Sequence, residues 1–244
     1  MGKAAAELLD KSYPPRFPYR TISSKFGIEA PRMATRKKPA RDRSRRRLPT
    51  AATSPVGVRI IGGKFRGRKL EYSGDLRTRP MKDRVREALF NLLGHGVEGK
   101  MAIDLFAGTG ALALEALSRG ASRAVLIERH QPTAQAIRRN SAMLGVEAIV
   151  DVTSADTFLW ARRLPDLGPA PWLVFCSPPY ELYVIQKDEM LQLLNHLIQR
   201  SPPESLFAVE SDNRFDFREL PEANQWDVRP YPPAFLGIWE KQKK

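Results

Sequence analysis

One cysteine, three histidines and no long apolar run set the first limits on this 244-residue chain. The lone Cys176 excludes an internal disulfide framework, and His95, His130 and His196 stand apart with no cysteine at zinc-ligand spacing. A reducing, cytoplasmic setting without a structural metal is the expectation. No stretch approaches the ~18 consecutive apolar residues a membrane span requires. Glu7 and Asp10 fall where an export signal needs an apolar segment. The chain is therefore expected neither to span a membrane nor to be secreted. With 42% apolar residues it has material for one good core, so one main domain is expected.

Acidic residues are scarce near the start. Residues 1–55 hold 14 Lys and Arg against 4 Asp and Glu, residues 56–100 hold 11 against 5, and residues 101–244 hold 15 against 18. The net charge of +13 therefore belongs to the first hundred residues. A polyanion touched by the front of the chain accounts for this asymmetry. ATRKKPARDRSRRRLPTAATSP, residues 34–55, has few large apolar side chains and a dense charge run, which predicts disorder unless bound. Residues 1–55 read either as a nucleic-acid arm or as a solvated basic tail.

Order is expected from about Val56. VGVRIIGGKFRGRKLEY has two short apolar runs about Gly62 and Gly63, with Lys64, Arg66, Arg68 and Lys69 at the turn, and reads as a β-hairpin with a basic rim. RTRPMKDRVREALFNLLGHG then places Val85, Leu89, Leu92 and Leu93 on one face of a helix that follows Pro80 and stops at Gly94. Arg84 and Arg86 fall off that stripe, toward a possible substrate. From Met101 the chain alternates: strands are predicted at 101–105, 123–128, 148–152, 172–176, 205–210, 225–229 and 235–240, and helices at 110–119, 131–143, 155–163 and 185–200. This is an α/β doubly wound, Rossmann-like sheet whose last two strands, joined without a helix, form an antiparallel edge. The expected organisation is a basic tail over 1–55, a hairpin and helix over 56–98, and a ligand-binding domain over 99–244.

In DLFAGTGALALEAL, residues 104–117, Gly108, Gly110 and Ala113 satisfy the G-x-G-x-x-A pattern of a strand turning tightly into a helix, whose free N–H groups suit a ligand. Glu128 ends the next strand, 20 residues after Gly108, where a carboxylate can take both hydroxyls of a ribose. Asp104 would repel a pyrophosphate and suits a cofactor with a cationic amine, which favours S-adenosylmethionine over a dinucleotide. Asp156 has two readings, an acceptor for an adenine amine or a helix N-cap. Cys176, inside an apolar strand, reads as a small buried hydrophobe.

These stretches carry a resemblance. RIIGGKFRGRKL, RTRPMKDRVREALFNLL, DLFAGTGALALEALSRGA, VLIE and SPPY, in this order from about Val58 to Lys241, resemble the RsmD-type family of bacterial 16S ribosomal RNA guanine-N2 methyltransferases. The resemblance implies S-adenosylmethionine held by Asp104, Phe106, Gly108, Gly110, Glu128 and Asp156. It implies a flipped guanine at residues 177–180, with Ser177, Pro178 and Tyr180 as catalytic residues. It also implies ribosomal RNA, or a small-subunit assembly particle, on Lys64, Arg66, Arg68, Arg79 and Arg84. A monomer acting without metal is expected.

The corner FCSPPYELY departs from the family at its first position. An exocyclic purine amine is a weak nucleophile whose N–H groups must be aimed so that the nitrogen faces the methyl group. In this family type the corner opens with Asn or Asp, whose side-chain oxygen holds the amine beside a proline carbonyl while the aromatic ring stacks on the base. Here Ser177 offers a shorter, uncharged and rotatable acceptor. Either another group compensates, or the chain is a non-catalytic RNA-binding or ribosome-assembly protein. An amine on another class of substrate is a third reading.

Overall fold

The computed structural model describes residues 57–72 and 80–243, all within one unit, Ala52–Lys244. The basic tail expected over 1–55 and Arg79 lie outside the described residues.

Seven strands form one sheet: β1 Met101–Asp104, β2 Arg123–Ile127, β3 Val150–Thr153, β4 Trp172–Cys176, β5 Leu206–Ser211, β6 Asp227–Tyr231 and β7 Ala234–Glu240, in the order β3-β2-β1-β4-β5-β7-β6. The first five run parallel, and β7 pairs antiparallel with both β5 and β6. β1 and β4 are buried at every position, as strands covered on both faces must be, which is why they read as continuous apolar runs rather than alternating ones. β6 is the edge, and it tolerates Pro230 because an edge strand has one side without ladder donors.

One face carries α1 (Asp83–Leu93), α2 (Ala111–Ser118) and α3 (Gln131–Leu144); the other carries α4 (Thr157–Arg162), the short α5 (Leu182–Ile185) and α6 (Lys187–Arg200). α6 inserts Met190, Leu193, Leu194, Leu197 and Ile198, the 3–4 spacing of an amphipathic helix. Each such side chain contributes at most ~1.5–3 kcal/mol on burial.

The expected hairpin is present but short. Val58, Ile60 and Leu70 enter the main core. The hairpin's two arms pair antiparallel at Arg59 and Lys69, with the N–H groups of Ile60, Gly67 and Leu70 donating to the carbonyls of Arg68, Ile60 and Val58 at 2.8–2.9 Å, and a 3-10 turn over Gly63–Phe65 lies between the arms. Gly63, at φ 72°, opens the turn and also marks a close approach: a Cβ there would meet the Ser118 carbonyl oxygen at 1.9 Å. The loop lies directly on α2 rather than standing off as a ribbon.

Candidate active site

The strand order reverses between β1 and β4, and a cavity of about 850 Å³ opens at their carboxyl ends, where open α/β sheets take ligands. The glycine turn forms one end of it and the proline corner the other. A second cavity of about 500 Å³ lies at the opposite strand ends, between Leu93, Lys100 and Leu206.

At the glycine end, Gly108 and Gly110 adopt φ of 51° and 75°, so the turn can deliver the chain into α2 with the Gly108–Thr109 backbone on the cavity wall. Gly110 itself faces inward: a Cβ there would come within 3.1 Å of Ile137 on α3, so this glycine serves packing. Asp104 lies beneath the turn, 1% exposed. Its oxygens make no hydrogen bond of good geometry, and burial pushes its carboxyl up to about 7, moderated by the amides of Phe106 and Ala113. Glu128 lines the cavity and braces the turn, accepting the Gly108 N–H at 2.9 Å and the His130 N–H at 2.7 Å. A carboxylate has about four acceptor positions, so Glu128 keeps capacity for a ligand. Asp156 Oδ1 accepts the N–H groups of Phe158 and Leu159 at 3.0 and 3.1 Å, which is the N-cap of α4, and the residue also lines the cavity. Both readings of Asp156 thus meet on one side chain. Phe106 and Phe158, edge to face at 6.3 Å, add an apolar wall. A buried unpartnered carboxylate, an available ribose acceptor and a glycine-walled turn fit a cofactor with a cationic amine and a nucleoside.

At the other end, β4 delivers Ser177, Pro178, Pro179 and Tyr180 to the cavity. The carboxylate that faces this corner belongs to Glu210, which the sequence reading did not single out. Cys176 and Val209 are register partners on adjacent parallel strands, so the next residues, Ser177 and Glu210, emerge side by side. Ser177 Oγ donates to Glu210 Oε2 in a short hydrogen bond, and Tyr180 donates its phenol to Oε1 at 2.8 Å. Burial raises the Glu210 carboxyl above its ordinary range, and the two hydroxyls draw it back down. The signal in the sequence was a lone acid inside the apolar run LFAVES, since a charged residue deep in a strand is rare unless used. Pro233, between the last two strands, also lines the cavity. Cys176 is buried against the Tyr183 hydroxyl at 3.5 Å, with burial pushing its thiol up to about 12, so it is a packing residue.

The basic residues divide. Lys64, Arg66 and Arg68 are exposed on the loop, Lys64 standing 4.8 Å over the Phe65 ring and Arg68 donating to the Met143 carbonyl at 2.8 Å. Arg84 is exposed and reaches the Pro232 carbonyl at 3.4 Å. Lys82, not expected, lines the cavity. Arg86 is corrected: it is fully buried, donating to the Arg59 carbonyl at 2.6 Å and to Asp83 at 3.0 Å, and its charge ties α1 to the loop. It still forms part of the cavity wall.

The family described as conserved hypothetical protein 95 matches residues 58–230. The chain belongs to that family. The match covers the RsmD-type motifs noted above. Ribosomal RNA small subunit methyltransferase D of Escherichia coli K12 is 40% identical over 131 residues, which is 53% of this chain and 64% of that relative. The protein of the same name from Haemophilus influenzae is 33% identical, with 64% of this chain and 79% of that one covered. A solved structure titled "Putative methyltransferase yhhF from Escherichia coli" superposes with a TM-score of 0.64 at 30% identity, over 77% of this chain and 99% of that one. The fold is therefore that of Rossmann-like methyltransferases. Among the described residues, no helix is long and apolar enough to cross a membrane and no acidic, His or Cys cluster fits a metal ion.

Proposed function

We propose that this protein transfers a methyl group from S-adenosylmethionine to the exocyclic N2 of a guanine in small-subunit ribosomal RNA. The observation that carries the reading is the single cavity that joins the glycine turn to the Ser177–Tyr180 corner, with Glu210 restoring a carboxylate to that corner. S-adenosylmethionine, when bound, supplies an electrophilic methyl group. Glu128 and Asp156 line the end of the cavity suited to its nucleoside, and Asp104, buried next to the turn, is proposed to suit its cationic amine. At the other end Pro178 and Pro179 stiffen the corner, Tyr180 offers a face to a flipped base, and Ser177 offers an oxygen to its amine. Lys64, Arg66, Arg68 and Arg84 are the exposed cations available to RNA phosphates. Arg79, implied beside them by the family resemblance, is proposed for the same role. The reading places the protein in the cytoplasm, acting as a monomer on ribosomal RNA or an assembling small subunit.

The test is transfer of tritiated methyl to undermodified small-subunit particles, followed by nucleoside analysis. N2-methylguanosine is the expected product. Tight particle binding with no methylated nucleoside, cofactor affinity being intact, would instead support the RNA-binding reading.

A further inference from the structure

The chemistry assigned to the corner calls for a fixed, electron-rich acceptor, and a free serine hydroxyl is neither fixed nor charged. Here the hydroxyl is not free. Its one proton is given to Glu210 Oε2, which locks the rotor and leaves the oxygen lone pairs for an incoming N–H. The other carboxylate oxygen holds the Tyr180 phenol at 2.8 Å, so one side chain sets both the acceptor and the aromatic ring. Glu210 is 6% exposed, and among the described residues no Lys or Arg forms an ion pair with it. A buried carboxylate without a counter-charge is costly, and a glutamine could satisfy the same two hydroxyls without that cost.

We propose that Glu210 is the missing carboxylate of this corner, moved to the neighbouring strand, and that it acts through Ser177 by fixing the hydroxyl and receiving the proton that the target amine sheds. The proposal rests on the guanine-N2 reading. The step balances. A bond forms between N2 and the methyl carbon as the carbon–sulfur bond breaks, its electron pair remaining on sulfur. N2 sheds one proton to Ser177 Oγ while the serine's own proton passes to Glu210 Oε2. Serine ends as it began, and the carboxylate ends neutral. Burial, by favouring the protonated carboxyl, suits a group that must take up a proton. Register explains why the exchange of places works: Ser177 and Glu210 are the next residues after the paired Cys176 and Val209, so either position can present an acid to the same point.

The experiment uses the full chain, S-adenosylmethionine and undermodified small-subunit particles. Glu210→Gln should lower kcat by about a hundredfold to ten-thousandfold, the usual scale of a lost proton acceptor. KM for the particles and calorimetric affinity for S-adenosylmethionine should stay within about twofold of the parent, a split that loosened packing would not give. Ser177→Ala should lower kcat to the same extent, and the double variant should be no slower than either single, because the two residues act as one unit. Ser177→Asp placed in the Glu210→Gln background should recover most of the rate by returning the acid to the loop. Should Glu210→Gln not fold, Ser177→Ala still decides, since it leaves the carboxylate in place and removes only its link to the amine. Parent-level kcat in either single variant, with the parent making N2-methylguanosine, overturns the role of Glu210 alone. A parent that makes no N2-methylguanosine overturns the guanine-N2 reading and the proposal with it.

Discussion

Burial of Asp104 holds a proton on its carboxyl up to about pH 7, whereas in the unfolded chain the same group loses it near 3.8. Between those values the folded state binds a proton that the unfolded state does not. This contribution to stability is complete below about pH 4, declines by up to ~1.4 kcal/mol per pH unit, and is gone above about 7. Asp104→Asn lacks the titration, so urea unfolding between pH 5 and 8 should show the variant gaining on the parent as pH rises. A constant gap would mean that the carboxyl titrates normally. The same side chain shows where sequence reasoning reaches its limit. Asp104, Gly108, Glu128, Asp156 and Ser177 were legible because each ends a strand or opens a helix within a short motif. Glu210 was not, because its meaning comes from a neighbour 33 residues away across a parallel ladder, and nothing in LFAVES names that neighbour. Arg86 misled for the opposite reason. Off the apolar stripe it reads as turned toward a possible substrate, and only the packed loop shows that a backbone carbonyl and Asp83 hold it inside.

At the scale of elements, the segment ahead of the sheet is held by acids and amides of the helices beneath it. Glu115, fully buried on α2, accepts the N–H groups of Ile61 and Gly62, each at 2.7 Å, and pairs with Arg119 at 2.9 Å and Arg86 at 4.0 Å. Ser118 takes the Phe65 N–H at 2.9 Å and donates to the Gly62 carbonyl at 2.6 Å, and Asn140 on α3 clasps both backbone groups of Glu71. Glu115→Ala leaves two backbone donors unpaired and Arg86 without its nearest buried counter-charge. It should cost about 3–5 kcal/mol, read as a lower urea midpoint at unchanged slope. A loss below ~1 kcal/mol would show the loop to be held chiefly by its apolar residues. The strands and longer helices were legible because their periodicity is local. The docking of the hairpin on α2 was not, since its glycines signal a turn equally well whether the paired arms stand off or lie on a helix.

At the scale of the whole molecule, Lys64, Arg66 and Arg68 stand exposed on the loop, while Glu128, Asp156 and Glu210 line the cavity. Replacing those three cations with glutamine should flatten the log–log salt dependence of RNA binding by about two to three and leave S-adenosylmethionine affinity unchanged. A slope as steep as the parent's would put the RNA on another surface. The eight residues of α2 connect the two regions, bearing the glycine turn at their head and the clasp for the loop on their flank and tail. In a genetic screen the two kinds of defect should therefore sort by depth. Alleles that disturb the helix will behave as complete nulls, because the cavity and the cation-bearing loop hang from one short rod. Separation-of-function alleles will be confined to side chains that project from the frame into solvent or into the cavity.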